Sequence, residues 1–199
     1  MTTEVLLDTN TYLRLAKRIR PAVGRQFGQV PYVVVILKAV EEEVHRSPRL
    51  RFRNPWFDEP EFALERQAKQ SRLSAQDKQD MKLVQDVLMG MVQLDVDKYT
   101  SHGRSPPGAT DCWLLAYGQV KGAIVVTDDL GMHLLAAEAH LVVWHGFELL
   151  AKLRTARVVD NELIREIYDA LERNGDLAQT WREAKHNDFA RIFGKRPSE

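Results

Sequence analysis

Short runs of branched apolar residues alternate along the chain with stretches of helical periodicity, and this alternation constrains the fold more than any other feature. The runs occupy residues 5–7, 30–36, 123–127 and 141–144. Residues 33–36 are continuously apolar, which is typical of a strand buried on both faces. Strands of this kind separated by helices predict an α/β protein with a mostly parallel sheet.

Local signals place helices and a loop between these runs. Ser74 followed by Asp77 is a capping-box variant, and it opens a long helix with apolar residues at helical spacing. The segment 105–108, Ser-Pro-Pro-Gly, cannot continue a helix or a central strand, so it is a loop. A helix is expected to begin near residue 109, which puts Asp111 in its first turn.

The length of 199 residues suits one domain with an extension. We expect a compact domain over residues 1–154, with an insert at about 46–73. Two charged amphipathic stretches, 161–173 and 177–193, follow it and predict a C-terminal helical extension over residues 155–199. This extension could contact a second copy of the chain, as in a homodimer, or a partner protein, or it could fold back onto the domain.

Composition excludes several classes of protein. Lysine and arginine (28) balance aspartate and glutamate (28), so any binding of nucleic acid must depend on local clustering of positive charge. The single cysteine, Cys112, cannot form an internal disulfide, which fits a reducing compartment, and we expect the cytoplasm. No apolar run approaches the roughly 20 residues of a membrane span, and the N-terminus does not resemble a signal peptide.

Acidic residues follow two of the predicted strands directly. Asp8 follows the first, and Asp128 and Asp129 follow the run at 123–127. Because ligands of open α/β sheets bind at the carboxyl ends of the strands, these side chains are expected at one edge. Asp111, in the first turn of a helix, and Glu43, in the helix after the second strand, could reach the same edge.

Several ionised carboxylates at one place repel each other and need a compensating cation. Mg²⁺ and Mn²⁺ prefer oxygen ligands and suit such a cluster best. The corresponding chemistry is metal-assisted hydrolysis of a phosphodiester, which requires no serine or histidine nucleophile. Taken singly, each acid is better explained as a helix cap, a turn residue or part of a solvated helix face. Together, the order Asp, Glu, Asp, Asp on alternating elements indicates a shared site.

The same residues resemble a known family. Val5-Leu-Leu-Asp-Thr-Asn10 is similar to the opening strand and Asp-x-Asn motif of PIN domains, and Val40-Glu-Glu-Glu-Val44 is similar to their second acidic position. Ala109-Thr-Asp-Cys-Trp-Leu-Leu-Ala116 resembles the helix that carries the third. Val125-Val-Thr-Asp-Asp129 resembles the strand end that carries the fourth. The resemblance covers about residues 4–153 and implies a PIN-like parallel sheet flanked by helices.

By this resemblance the chain would be a divalent-metal-dependent endoribonuclease. Many small bacterial members are VapC-like toxins of toxin–antitoxin pairs, so an RNA substrate and an antitoxin partner are implied. The implied catalytic metal ligands are Asp8, Glu43, Asp111 and Asp129, with Asn10, Thr127 and Asp128 in supporting positions around them. Two positions stay open, because Glu42 could replace Glu43 and Asp128 could share or replace the role of Asp129.

The predicted insert carries the most obvious basic and aromatic cluster. Its cations are Arg46, Arg49, Arg51 and Arg53, and its rings are Phe52, Trp56 and Phe57. Guanidinium groups bind phosphates and rings stack on unpaired bases, so the cluster suits RNA. Equally, it could be a connecting loop whose aromatic residues pack into the core or against an antitoxin.

Two other hypotheses compete with the nuclease. The first is a catalytically silent PIN-fold module that binds RNA or a protein partner. The second is a phosphohydrolase with Asp8 as nucleophile, and it is weak because such enzymes usually need a second aspartate where this chain has Asn10. Nucleotide-binding glycine motifs do not occur in the sequence.

Overall fold

The computed structural model describes residues 2–100 and 105–187. Its sheet has the strand order β2-β3-β1-β4-β5. The strands are β1 (Thr3–Leu7), β2 (Gln26–Phe27), β3 (Tyr32–Val35), β4 (Ile124–Val126) and β5 (Val143–Trp144). All neighbouring pairs are parallel except β2 with β3. The predicted α/β class with a mostly parallel sheet is confirmed.

Helices cover the sheet and connect its strands. In chain order they are α1 (Thr9–Leu15), α2 (Lys38–Arg46), α3 (Pro48–Arg53), α4 (Pro60–Lys69), α5 (Ala75–Leu94), α6 (Val96–Tyr99), α7 (Ala109–Lys121), α8 (Leu130–Glu138), α9 (Gly146–Thr155), α10 (Asn161–Arg173) and α11 (Gln179–Asn187). The predicted capping box opens α5, with Ser74 and Asp77 each accepting from the other's backbone nitrogen. No described helix is long and apolar enough to cross a membrane.

The order of the strands creates a crevice at the carboxyl edge of the sheet. After β1 the chain builds β3 on one side of it, and then crosses to build β4 on the other side. Leu7 pairs with Val126, so the residues that follow β1 and β4 lie side by side. Ligands of open α/β sheets bind where the strand order reverses in this way. The arrangement is consistent with the PIN-like fold that the sequence resemblance implies.

The predicted insert is largely helical and not a plain connecting loop, and Phe57 packs into the core, as one of the two alternatives from the sequence allowed. It holds α3, a 3₁₀ turn at Pro55–Asp58, and α4. Phe57 is fully buried and lies edge-on to Tyr12 of α1, with ring centroids 6.1 Å apart. The guanidinium of the buried Arg66 lies 3.7 Å from the Phe57 ring centroid and 3.4 Å from a Glu41 carboxylate oxygen. These contacts dock the insert on α1 and α2.

The C-terminal extension folds back onto the domain. α10 matches the predicted helix at 161–173, and its apolar face joins the main core. Trp181 of α11 is 1% exposed and packs against Phe147 of α9 and Tyr168 of α10. The sequence left open whether the extension contacts another chain or folds back onto the domain. In the structure it folds back onto the domain. The end of the predicted stretch 177–193 lies outside the described residues.

The strands differ from their predictions in number and in bounds. The last strand was expected over 141–144 and covers only Val143–Trp144, while β1 begins two residues earlier than expected and β4 is one residue shorter at each end. The antiparallel edge strand β2 was not predicted, because it is only two residues long. The run at 30–36 is a strand only over Tyr32–Val35, and Val30 is 56% exposed. The apolar run at 30–36 is longer than the strand. A run of hydrophobic residues indicates burial and does not by itself mark where strand pairing begins or ends.

Candidate functional site

Asp8 is the first residue after β1 and the N-cap of α1. Its Oδ1 accepts a hydrogen bond from the backbone nitrogen of Thr11 at 2.5 Å, and its Oδ2 accepts one from the hydroxyl of Thr127 at 2.6 Å. Burial raises the pKa of Asp8 to about 6, although both hydrogen bonds favour the ionised form. The carboxylate is therefore held in one position at the crevice.

The end of β4 supplies Thr127 and Asp129. The hydroxyl of Thr127 donates to Asp8 and accepts a hydrogen bond from the backbone nitrogen of Asp129 at 3.1 Å. Asp129 is the N-cap of α8, with its Oδ1 accepting from the nitrogen of Met132 at 3.0 Å. One buried hydroxyl thus connects the ends of β1 and β4.

Glu43 and Glu42 have different surroundings on α2. Glu43 Oε2 accepts a hydrogen bond from the hydroxyl of Thr9 at 2.6 Å, and this hydroxyl follows Asp8 directly in the chain. The side chain of Glu42 is 53% exposed and lies 3.3 Å from the amine of Lys38, one helical turn away. The structure therefore places Glu43 at the crevice and Glu42 on the solvated face.

Asp111 enters the site from the first turn of α7. Its Oδ2 accepts from the backbone nitrogen of Gly108 at 2.8 Å, which fixes the start of the helix. Burial, and after it the negative charges of Asp8, Glu43 and Asp129, raise the pKa of Asp111 to about 7. Four carboxylates from four separate segments thus share one electrostatic environment.

Each of these four carboxylates accepts a hydrogen bond from a backbone nitrogen or a hydroxyl group of the protein. Among residues 2–100 and 105–187, no three acidic, histidine or cysteine side chains lie in an arrangement that could hold a metal ion. Asp8, Asp111 and Asp129 each accept from a backbone nitrogen, and Glu43 accepts from Thr9. The chemistry of the set, which offers only carboxylate oxygens to a hard cation, nevertheless fits Mg²⁺ or Mn²⁺.

Comparisons with known proteins add little to this geometry. No protein-family model matches the chain, and no curated protein sequence matches it. Its structure is similar to that of VapBC-1 from nontypeable Haemophilus influenzae, with a TM-score of 0.46 and 14% sequence identity. The match covers 72% of this chain and 98% of the other. A likeness of this degree carries no conclusion about activity or partners.

Asp128 lies beside the carboxylates but contacts different groups. Its Oδ1 accepts from the backbone nitrogen of Gly146 at 3.0 Å, and its Oδ2 lies 3.4 Å from the guanidinium of Arg14. Burial alone would raise the pKa of Asp128, but the His145 ring, the Gly146 amide and Arg14 together hold it below its usual value. Asp128 is therefore an ionised structural group that joins α1, β4 and α9.

Asn10 was expected to support the carboxylates, and the four insert arginines were expected to form one RNA-binding cluster. The structure separates these residues. Asn10 is exposed and has no hydrogen bond to the four carboxylates in the described structure; it lines a groove beside them. Arg51 donates two hydrogen bonds to Asp58, and Arg46 donates to the backbone oxygen of Glu42. Of the four insert arginines, Arg53 lines the groove.

Sequence reasoning missed three cations that share this groove with Arg53. They are Arg14, Lys17 and Arg18, in and just after α1. Their spacing of three and four residues puts them on one side of a continuing helical turn. That signal was present in the sequence, about one to two helical turns after the Asp-x-Asn motif, and it could have identified a basic surface next to the acidic one.

Proposed function

We propose that the protein is a divalent-metal-dependent endoribonuclease that hydrolyses RNA phosphodiester bonds. The observation that carries the proposal is the convergence of Asp8, Glu43, Asp111 and Asp129 at the switch point of the sheet. Burial, together with the negative charges of Asp8, Glu43 and Asp129, raises the pKa of Asp111 to about 7. Such a cluster lowers the stability of the folded protein unless a cation is bound to it. Clusters of carboxylates with shifted pKa values are typical of functional sites.

The four carboxylates would hold Mg²⁺ or Mn²⁺, which supplies an acidified water and neutralises charge on the phosphate when bound. Thr127 holds the Asp8 carboxylate by its hydrogen bond, and Thr9 does the same for Glu43. The second Asp8 oxygen, Oδ1, accepts from the backbone nitrogen of Thr11, so both oxygens of this carboxylate are oriented by the protein. The N-caps made by Asp8 and Asp129 fix the two strand ends on which the site is built.

A narrower assignment is the toxin of a toxin–antitoxin pair. It is supported by the sequence resemblance to VapC-like toxins. If it is correct, expression of the wild-type chain arrests growth of a bacterial host and Asp8→Asn does not. Growth arrest by both proteins would contradict a toxicity that depends on the carboxylates.

The second candidate function is a catalytically silent module that binds RNA or a protein. The absence of a ready-made metal arrangement among the described residues favours it. The two candidates differ in metal binding. The nuclease binds Mn²⁺ with an affinity that depends on the four carboxylates, whereas the silent module is indifferent to Mn²⁺.

The deciding experiment is cleavage of a mixed pool of single-stranded and structured RNA. Purified wild-type protein is compared in Mn²⁺, in Mg²⁺ and in EDTA with Asp8→Asn and Glu43→Gln. Asparagine caps helices as well as aspartate does, so the fold of Asp8→Asn is expected to persist. We expect metal-dependent cleavage by the wild type and a loss on the order of 100-fold in either variant.

Glu42→Gln is the matched control for Glu43→Gln. The two residues are neighbours on α2 and the change is chemically identical, but only Glu43 lies at the crevice. If Glu42→Gln cleaves RNA at the wild-type rate and Glu43→Gln loses activity, the result supports Glu43 as the metal ligand on α2. No cleavage by the folded wild type, together with no Mn²⁺ binding, would favour the silent module.

A further inference from the structure

A groove with a cavity volume of about 600 Å³ lies beside the acidic crevice. One wall is α1 with the turn after it, a second is the end of α3 and the 3₁₀ turn of the insert, and the third is the C-terminal end of α10 with the turn that follows. The groove is therefore made jointly by the domain, the insert and the C-terminal extension. Trp56 lines it with a half-buried ring.

Positive charge dominates the lining of this groove. Among the described residues, the lining contains one carboxylate, Asp176, and four cations, Arg14, Lys17, Arg18 and Arg53. Arg14 also lies 3.4 Å from Asp128, but in the described structure Lys17, Arg18 and Arg53 form no ion pair with a carboxylate. Three exposed cations thus remain for an external anion, in a chain whose formal net charge is zero.

The groove adjoins segments that carry the candidate site, although none of the four carboxylates lines it. Asn10 lies at the groove two residues after Asp8, and Arg14 contacts Asp128, which precedes Asp129. A phosphodiester strand that reaches four carboxylates is repelled by them, so neighbouring cations are needed to hold the strand beside the site. The proximity of the groove cations to the four carboxylates favours a nucleic acid strand over a peptide as the occupant.

We propose that this groove binds the phosphate backbone of single-stranded RNA and leads it to the acidic crevice, with the C-terminal extension as one wall. The inference rests on the proposed nuclease function and adds to it the path of the substrate. Lys17, Arg18 and Arg53 contact successive phosphates. The extension, whose Ala170 and Asn174 lie at the groove, is therefore part of the RNA-binding surface.

The test is fluorescence anisotropy of a labelled, short single-stranded RNA titrated with the full chain, in EDTA and separately in Ca²⁺. Lys17→Ala and Arg53→Ala are compared with Lys78→Ala and Arg25→Ala, which remove exposed cations outside the groove. Each groove variant should weaken binding about five-fold at about 0.1 M salt and reduce the slope of log affinity against log salt by about 0.7. The control variants should bind as the wild type does.

A second pair of variants tests the wall made by the extension. Ala170→Glu adds a carboxylate to the groove, and Ala75→Glu adds one at the exposed start of α5. We expect Ala170→Glu to weaken RNA binding at least as much as the loss of one cation, and Ala75→Glu to have no effect. Thermal melting monitored by circular dichroism verifies that each variant is folded.

Three results of the binding experiment would overturn the proposal that the groove binds RNA. These are no binding of RNA by the wild type in either buffer, equal binding by groove and control variants, and binding of a polyglutamate peptide that depends on the groove cations while RNA binding does not. The outcome is separable from that of the cleavage assay. If the groove binds RNA but no cleavage occurs, only the proposed nuclease function is contradicted. If cleavage occurs and the groove variants do not affect it, only the proposed role of the groove is contradicted.

Discussion

At the scale of single residues, Asp111 shows what the cluster costs the folded protein. Its carboxyl group is largely buried and faces three other carboxylates, and its pKa rises from 3.8 to about 7. A raised pKa means that the folded state binds the proton more tightly than the unfolded state does. The contribution of Asp111 to stability is therefore complete below about pH 4 and is lost as the pH rises toward 7.

Asp111→Asn is consequently expected to stabilise the metal-free protein at about pH 8, by on the order of 2 kcal/mol. The asparagine oxygen can still accept from Gly108, so the start of α7 is kept. Urea unfolding in EDTA at about pH 4 and pH 8 measures the effect, which should vanish at the lower pH. Asp169→Asn, at an exposed position of α10, is the control. A destabilised Asp111→Asn at both pH values would contradict this account.

The motif spacing favoured Glu43 over Glu42 and Asp129 over Asp128, but left both choices open. The structure separates each pair by contacts that are remote in the chain. Glu43 meets Thr9 across 34 residues, and Asp128 meets Gly146 and Arg14. Adjacent residues in a sequence have the same local pattern, so only the packing of other elements can distinguish them.

At the scale of elements, the position of α8 depends on a close approach at Gly131. A Cβ at this residue would lie 2.5 Å from the backbone oxygen of Tyr99, 3.0 Å from Pro107 Cδ and 3.1 Å from Asp129 Oδ1. Tyr99 ends α6, and Pro107 belongs to the loop that delivers Asp111 to the site. The absence of a side chain at Gly131 therefore lets α8, α6 and this loop meet around the acidic crevice.

Gly131→Ala should destabilise the protein by about 1–3 kcal/mol, because a backbone oxygen cannot move aside as a flexible side chain can. Gly90→Ala is the matched control, since a Cβ at that position of α5 meets nothing within 4 Å. It should instead stabilise by about 0.5–1 kcal/mol, as alanine is the better helix former. Denaturant unfolding of both variants tests the contrast, and equal effects of the same sign would refute it.

At the scale of the whole molecule, the C-terminal extension is joined to the sheet through Trp181. A Cβ on Gly146 would lie 2.7 Å from Trp181 Cζ2 and 3.3 Å from Asp128 Oδ2. The indole thus packs directly on the backbone of α9, next to the carboxylate that contacts Arg14. The predicted boundary between residues 154 and 155 marks a change of sequence pattern, while the core continues across it.

Trp181→Ala should lower the free energy of unfolding by about 3–5 kcal/mol and keep a single cooperative transition, because the extension shares the core of the domain. Arg182→Ala, at the exposed neighbouring position, should change it by less than about 0.5 kcal/mol. Thermal melting followed by both circular dichroism and tryptophan fluorescence measures this. A separate early transition, with the main one unchanged, would instead identify residues 155–199 as an independent unit.

The sequence by itself determined the α/β class, the order of the main strands and helices, and the acids that follow β1 and β4. These features depend on local periodicity and on caps, which act over a few residues. Only the tertiary structure decided that the insert is helical, that Glu43 and not Glu42 faces the crevice, and that α10 closes a basic groove with α1. Those outcomes depend on contacts between residues far apart in the chain, which the local pattern of apolar and charged residues does not encode.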